Sequence, residues 1–415
     1  MTRAVLFAAV LLATVTASGA AQDLLPEGAG MDIVRTKCRT CHMATRVTQV
    51  AGRTSEGWQT LVTAMINRGA TITEDELPVV VEYLTKNWPV DKKVEVPSFA
   101  PLPPMAVHLR AGFTEWSMPA SAEPHDALIA SDGSIWYAGE KANVIGRFDP
   151  KSGEIKEFPL KTPQSGPDGL AEDRNGNIWY AGRLKALLGR LDAKTGRVTE
   201  YPLTDPAARD PHSLAVDQKG NLWFTIEEGN MIGRFIPATG DIRLKRAPTP
   251  NSRPYGIAIT SKGVPVYAAF GTNKVASTDP ATLAIREWKL PDPAARPCRV
   301  AVDAGDMVWY TDNARGFIGR LNMSTGEVKE WGTPGGVASM PSAIAVINND
   351  VWFTETGTTP NVLVRFEPAT ERFQTWNIPS GGGAVEAISA TKDGSALAIA
   401  GRGANKIALV KIEKN

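Results

Sequence analysis

From residue 113 onward the chain repeats one pattern of apolar and polar positions. Each copy opens on a proline and one variable residue, runs through small apolar residues, and turns at an Asp-Gly-type pair. It then resumes with a Trp-aromatic pair. The prolines are Pro124, Pro167, Pro211, Pro254, Pro297 and Pro341, at spacings of 43, 44, 43, 43 and 44. The tryptophans are Trp136, Trp179, Trp223, Trp309 and Trp352, with Val266 in the fourth slot, and residues 385–397 fit a seventh, degenerate copy. Short apolar runs between Gly, Asp and Asn turns predict strands. In the first copy these fall at 126–131, 135–139, 144–149 and 155–158. A period near 43 with four strands per copy predicts a mainly β fold, a seven-bladed β-propeller over residues 113–415. The seventh copy has only three strands. Phe113-Thr114-Glu115-Trp116 supplies the missing outer one, so both ends of the domain share a blade and no sheet edge stays open.

The pattern before residue 96 is helical. Trp58, Leu61, Val62 and Met65 recur at one helix face. Thr73-Glu74-Asp75-Glu76 reads as a capping box for a helix whose apolar face is Leu77, Val80, Val81, Leu84 and Trp88, ended by Pro89. Residues 23–95 therefore form a small all-α domain. Residues 96–112, with Pro97, Pro101, Pro103 and Pro104, form a stiff extended linker. Residues 1–21 combine Arg3, an apolar run and small residues before Gln22, the layout of a signal peptide. The run is short for a membrane span. The expectation is a periplasmic mature protein with no membrane span after cleavage.

Composition narrows this picture. The 415 residues carry 45 basic and 44 acidic side chains, so no basic excess serves a nucleic-acid backbone. Three cysteines cannot build a disulfide framework. Two of them stand in Cys38-Arg39-Thr40-Cys41-His42, the C-x-x-C-H pattern of covalent c-type haem. Cys38 and Cys41 are placed to hold the porphyrin, and His42 to ligate the iron on the proximal side. Met65 is the candidate distal ligand, and a core methionine on the same stripe is the alternative. The small domain is thus expected to be a cytochrome c domain with one haem.

In the propeller, the residue after each anchor proline begins the innermost strand. These residues are His125, Asp168, His212, Tyr255, Cys298, Ser342 and, by alignment, Glu386. The second strands end nearby with Glu140, Arg183, Glu227, Asp312, Glu355 and Arg402. Polar types at equivalent positions around one axis predict a polar pocket at one end of the channel. His125 and His212 are the candidate bases. Cys298 reads best as a small buried residue. The arginines of Ile-Gly-Arg on the third strands (Arg147, Arg234, Arg320) read as scaffold.

Pro-His, Trp-Phe-Thr-Glu, Ile-Gly-Arg and Thr-Gly-x-x-x-Glu-aromatic elements make the repeat resemble the virginiamycin B lyase (streptogramin lyase) propeller family over about 300 residues. The resemblance implies elimination at an ester of a cyclic depsipeptide, with a His as base and Glu residues holding Mg2+. Glu123-Pro124-His125 matches the family's Glu-x-His, but Glu140 falls one place late after Trp136. Asp210-Pro211-His212 is likewise followed by a displaced Glu227. Trp352-Phe353-Thr354-Glu355 is intact, with Ser342 at its anchor. His125, His212, Glu140 and Glu355 are therefore the catalytic candidates, with Mg2+ in the channel as an implied cofactor.

Three functions follow as expectations. The first is an exported haem protein of electron transfer or oxidoreduction, whose propeller binds a small-molecule substrate or a periplasmic redox partner. The second is a lyase of the streptogramin type. The third is a non-catalytic propeller that tethers a cytochrome.

Overall fold

The computed structural model describes residues 25–37, 52–66, 70–90 and 109–414. The chain divides into two compact units, residues 1–95 and 96–415. Cys38, Cys41, His42 and the expected signal segment lie outside the described residues.

The first unit contains helices α1 (Met31–Lys37), α2 (Ser55–Ile66) and α3 (Glu76–Asn87). The stripes read from sequence form its core. Trp58 and Val62 of α2 pack with Val80, Val81 and Leu84 of α3, Val34 of α1, and Trp88. Trp58 Nε1 donates to the Trp88 carbonyl at 3.0 Å, fixing the end of α3 against α2. The Glu76 carboxylate accepts from the Thr73 N–H at 2.9 Å, one half of the expected capping box, and also holds Lys37 of α1, while the Glu76 N–H turns to the Thr73 backbone carbonyl. Met65 is half-buried near the end of α2. No helix among the described residues is long and apolar enough to cross a membrane.

The second unit is a ring of seven four-stranded antiparallel sheets. The first blade comprises Pro124–Ile129, Ile135–Gly139, Val144–Phe148 and Ile155–Pro159, from the axis outward. The innermost strands of the next five blades begin at Pro167, Pro211, Pro254, Pro297 and Pro341. Proline suits the first position of a strand because it has no N–H to leave unpaired. The strands start at the proline itself, two residues earlier than the apolar pattern indicates. The five repeat tryptophans are fully buried. Trp179, Trp223 and Trp309 donate from Nε1 to Asp173, Asp217 and Asp303, the turn residues six positions earlier. This couples the Asp turn to the Trp pair. The Gly of Ile-Gly-Arg lies under the facing aromatic: a Cβ on Gly146 would sit 2.0 Å from the Tyr137 ring. Arg147 pairs with Asp132, and Arg320 covers the rings of Trp309 and Trp331, as scaffold residues.

The seventh blade joins Ile388–Ala390, Ala396–Gly401 and Lys406–Lys414 to Leu109–Ser117. Leu109 pairs with Lys414 and Ser117 with Lys406. The closing strand begins at Leu109, four residues before the expected Phe113. Leu109, Ala111 and Phe113 alternate onto the apolar core with Ile412, which extends the strand into what reads as linker.

Candidate functional site

In each of the first six blades the inner ladder slips immediately after the proline. Pro124 pairs with Gly139, but the next pair is Ala127 with Tyr137, so two residues, His125 and Asp126, oppose Ala138 alone. The same shift follows Pro167, Pro211, Pro254, Pro297 and Pro341. Such a bulge frees two residues per blade from the ladder and re-aims them. The pairs include His125-Asp126, His212-Ser213 and Cys298-Arg299, all buried. Before the proline, Glu123, Asp210, Arg253 and Met340 hold positive φ, a backbone region costly for L side chains. Asp210 lies beside Arg183, and Arg253 beside Glu227.

The deepest layer centres on Asp168, which is fully buried. His125 Nδ1 lies 3.1 Å from Asp168 Oδ1 and 3.2 Å from Asp126 Oδ1. His212 Nε2 lies 3.6 Å from Asp168 Oδ2. The His212 ring rests on Tyr255 with centroids 4.0 Å apart. Its Nδ1 is 3.1 Å from Ser213 Oγ, which accepts from Arg299 Nη1 at 2.7 Å. Arg299 thus reaches from the fifth blade to the third and lies over Tyr255. Its Nε and Nη2 are buried without a hydrogen bond. Gly256 makes this reach possible, since a Cβ there would stand 2.6 Å from Arg299 Cα.

The two imidazoles have opposite electrostatics. Burial disfavours charge on His125, but the carboxylates of Asp168 and Asp126 outweigh it and hold the ring well above its usual pKa. Burial pushes His212 down to about 3; Asp168 opposes this, while Arg299 and His125 add to it. Burial alone would raise Asp168, yet the two imidazoles and Arg183 hold it below the usual carboxylate range. Burial pushes the Cys298 thiol up to about 12, so it stays protonated and inert.

An outer layer lines the rim from the seventh blade through the fourth. Arg183 Nη1 stands 3.7 Å from Asp168 Oδ2 and 3.8 Å from Glu140 Oε1, and its Nε 3.4 Å from Asp210 Oδ1. Glu140 also takes Arg402 at 2.6 Å, and Glu227 takes Arg253. Burial and the neighbouring Glu227 raise Asp210 to about 7.

The structure therefore brings His125, His212 and Glu140 into one network. Glu355 has other partners: its Oε1 accepts from the Gly335 N–H at 2.8 Å, with Thr333 and Ser339 beside it. Asp312 is bound by Arg315 at 2.6 Å and by the Arg296 N–H. Both acids fasten loops of their own blades. Sequence reasoning missed Asp126, Ser213 and Arg299. The bulge places the second residue after the proline in the channel as well as the first.

A sequence profile of the virginiamycin B lyase family matches residues 107–278. A streptogramin B lyase structure is 27% identical, covering 73% of this chain and 98% of that one, with a TM-score of 0.67. Virginiamycin B lyase from Staphylococcus aureus is 26% identical over 73% of this chain and 99% of that one, TM-score 0.65. A catalytically inactive His-to-Ala variant of the same enzyme, with quinupristin, gives 26% and 0.66 over the same shares. Comparison with curated proteins finds no match. The second unit is a virginiamycin B lyase-like seven-bladed β-propeller.

Proposed function

We propose that the propeller binds a small carbonyl compound at the channel mouth and carries out proton transfer of the C–O lyase type. The observation that carries this reading is the line Arg299–Ser213–His212–Asp168, in which an unprotonated imidazole sits between a buried carboxylate and a buried guanidinium with two free N–H groups. In such an elimination His212 takes the proton from the carbon beside the carbonyl. That electron pair becomes the C=C bond, and the C–O bonding pair departs with the leaving carboxylate. Arg299 donates to the carbonyl oxygen as negative charge develops there. The same charge offsets the guanidinium that depresses His212, so the base strengthens as it is needed. The inactive His-to-Ala variant of the Staphylococcus aureus enzyme supports a His-dependent reaction.

The Mg2+ implied by the resemblance does not fit the glutamates expected to hold it. Glu140 is spent on Arg402 and Arg183, and Glu355 on Gly335 and its neighbours. They share no partner. The test is incubation with quinupristin and simpler β-acyloxy carbonyl esters, read by mass spectrometry for the opened, unsaturated product. Product formation lost in His212→Ala supports the reading. No product from any ester, with the protein folded, overturns it.

We infer a second function from the motif Cys38-Arg39-Thr40-Cys41-His42. We infer one covalent haem c, with His42 as proximal ligand and Met65 as distal ligand, in a protein exported to the periplasm. When bound, the haem would supply one-electron transfer to a redox partner. A c-type pyridine haemochrome spectrum from protein expressed with export machinery supports the assignment, and its absence ends it.

A further inference from the structure

The deepest layer contains a donor arrangement that proton chemistry does not exhaust. His125 Nδ1 carries at most one proton yet faces two carboxylate oxygens at 3.2 and 3.1 Å. Its hydrogen bond runs to Asp126. Asp168 is left with both oxygens buried and without a hydrogen bond. His125 Nδ1 lies 3.1 Å from Asp168 Oδ1 with its one proton turned to Asp126, and on the other oxygen the neutral His212 Nε2 and the Arg183 guanidinium stand off at 3.6 and 3.7 Å. Burying a carboxylate this way is costly unless something else completes it.

The spacing is that of ligands around a metal. Donor atoms ~2.1 Å from a metal ion lie ~3.0 Å apart at right angles and ~3.4 Å apart in a tetrahedron. Among the described residues, His125, Asp126 and Asp168 form a group able to bring three donor atoms within 4.8 Å of one another, and all three are buried. Two carboxylates balance the charge of a divalent ion. The imidazole favours Zn2+, Mn2+ or Fe2+ over Mg2+, which prefers oxygen alone. We propose that His125 Nδ1, Asp126 Oδ1 and Asp168 Oδ1 hold a divalent transition-metal ion at the channel axis, with His212 Nε2 facing it across Asp168.

Arg183 and Arg299 approach Asp168 and Asp126 at 3.7 and 4.0 Å. These distances are too long for hydrogen bonds, so neither guanidinium takes the donor position. The ion would displace only the proton shared between His125 and Asp126. The site uses none of the glutamates that the family resemblance points to. It concerns binding, and it stands whether or not the channel eliminates a C–O bond.

The test is a titration with Co2+ of metal-stripped full-length protein produced without haem attachment, so that Cys38 and Cys41 are free thiols and no haem bands cover the cobalt spectrum, followed by its visible absorption and by metal analysis after gel filtration. The Cys38–His42 segment offers thiolates and gives a near-ultraviolet sulfur-to-cobalt band that separates the two sites. The expectation is one equivalent of cobalt without thiolate character, competed by Zn2+. Asp168→Asn should weaken it at least about 10-fold, as loss of a direct ligand should cost no less than loss of a supporting one. Thermal unfolding checks that the variant folds, and Asp126→Asn replaces it if it does not. Wild-type protein that takes up no Co2+, Mn2+ or Zn2+ outside the cysteine site overturns the proposal. So does a folded Asp168→Asn or Asp126→Asn variant that binds as wild type does.

Discussion

His125 and His212 belong to the first and third blades, yet their rings meet edge to face with centroids 6.2 Å apart. Asp168 of the intervening blade lies against both. Two identical side chains on one carboxylate take opposite protonation states: Asp168 and Asp126 together outweigh burial at His125, whereas at His212 burial, aided by Arg299 and His125, outweighs Asp168.

In metal-free protein at neutral pH, His125 is expected to be charged and His212 neutral. Nitrogen NMR of the imidazoles, assigned with His125→Gln and His212→Gln, reads this directly. His212 has a depressed folded pKa, so the unfolded chain binds the extra proton first. Stability should therefore fall as pH drops from about 6.5 towards about 3. A His212 resonance that titrates near 6.5 in the folded protein would remove the basis for naming it the base.

Asp210→Asn should stabilise the protein at alkaline pH. The folded carboxyl is raised to about 7, so it is neutral below that and penalised above it. The unfolded carboxyl ionises near 3.9. The advantage of Asn should grow from about pH 4 to about pH 7 and then level off, with a ceiling of about 4 kcal/mol by linkage. Loss of a partner for Arg183 will reduce it. Thermal melts across that range give the answer, and a pH-independent difference would contradict it.

Glu355→Ala should cost stability and spare channel chemistry. The Gly335 N–H loses its acceptor, at ~1–3 kcal/mol for a buried group. Equal loss of channel activity and stability would return Glu355 to the site.

Gly256→Ala tests how Arg299 is seated. The new Cβ would meet Arg299 Cα at 2.6 Å and Cδ at 2.9 Å. Overpacking of ~1–3 kcal/mol is expected. Chemistry that depends on Arg299 should fall further than stability does, measured as turnover in fully folded protein. Unchanged turnover would detach Arg299 from the reaction.

The ring was legible in the sequence because burial dictates its period. Trp136 and its equivalents must recur wherever sheets pack, and Asp173, Asp217 and Asp303 recur with them to hold the indole N–H. The helical stripes around Trp58 and Leu84 were legible for the same reason. The contents of the channel were only half legible. Position after proline marked His125, Asp168 and His212, but the slip in register that adds Asp126, Ser213 and Arg299 is a property of two paired strands. Nor does sequence separate Glu140 from Glu355. The rival claim on Glu355 comes from Gly335, a residue with no side chain to notice. Asp312 did carry a signal, Arg315 three places on, a spacing that lets a guanidinium reach back to its carboxylate.

The strand Leu109–Ser117 is paired only by Lys406–Lys414, so it emerges from the ribosome about three hundred residues before its partner exists. At ~5–20 residues per second that delay is ~15–60 s. Throughout it the nascent chain displays an alternating apolar strand with a free edge, an invitation to pair with the same strand on a neighbouring chain. The latch that completes the seventh blade is thus a hazard of its synthesis. Overproduced protein lacking the last strand should accumulate in aggregates even though six blades are intact.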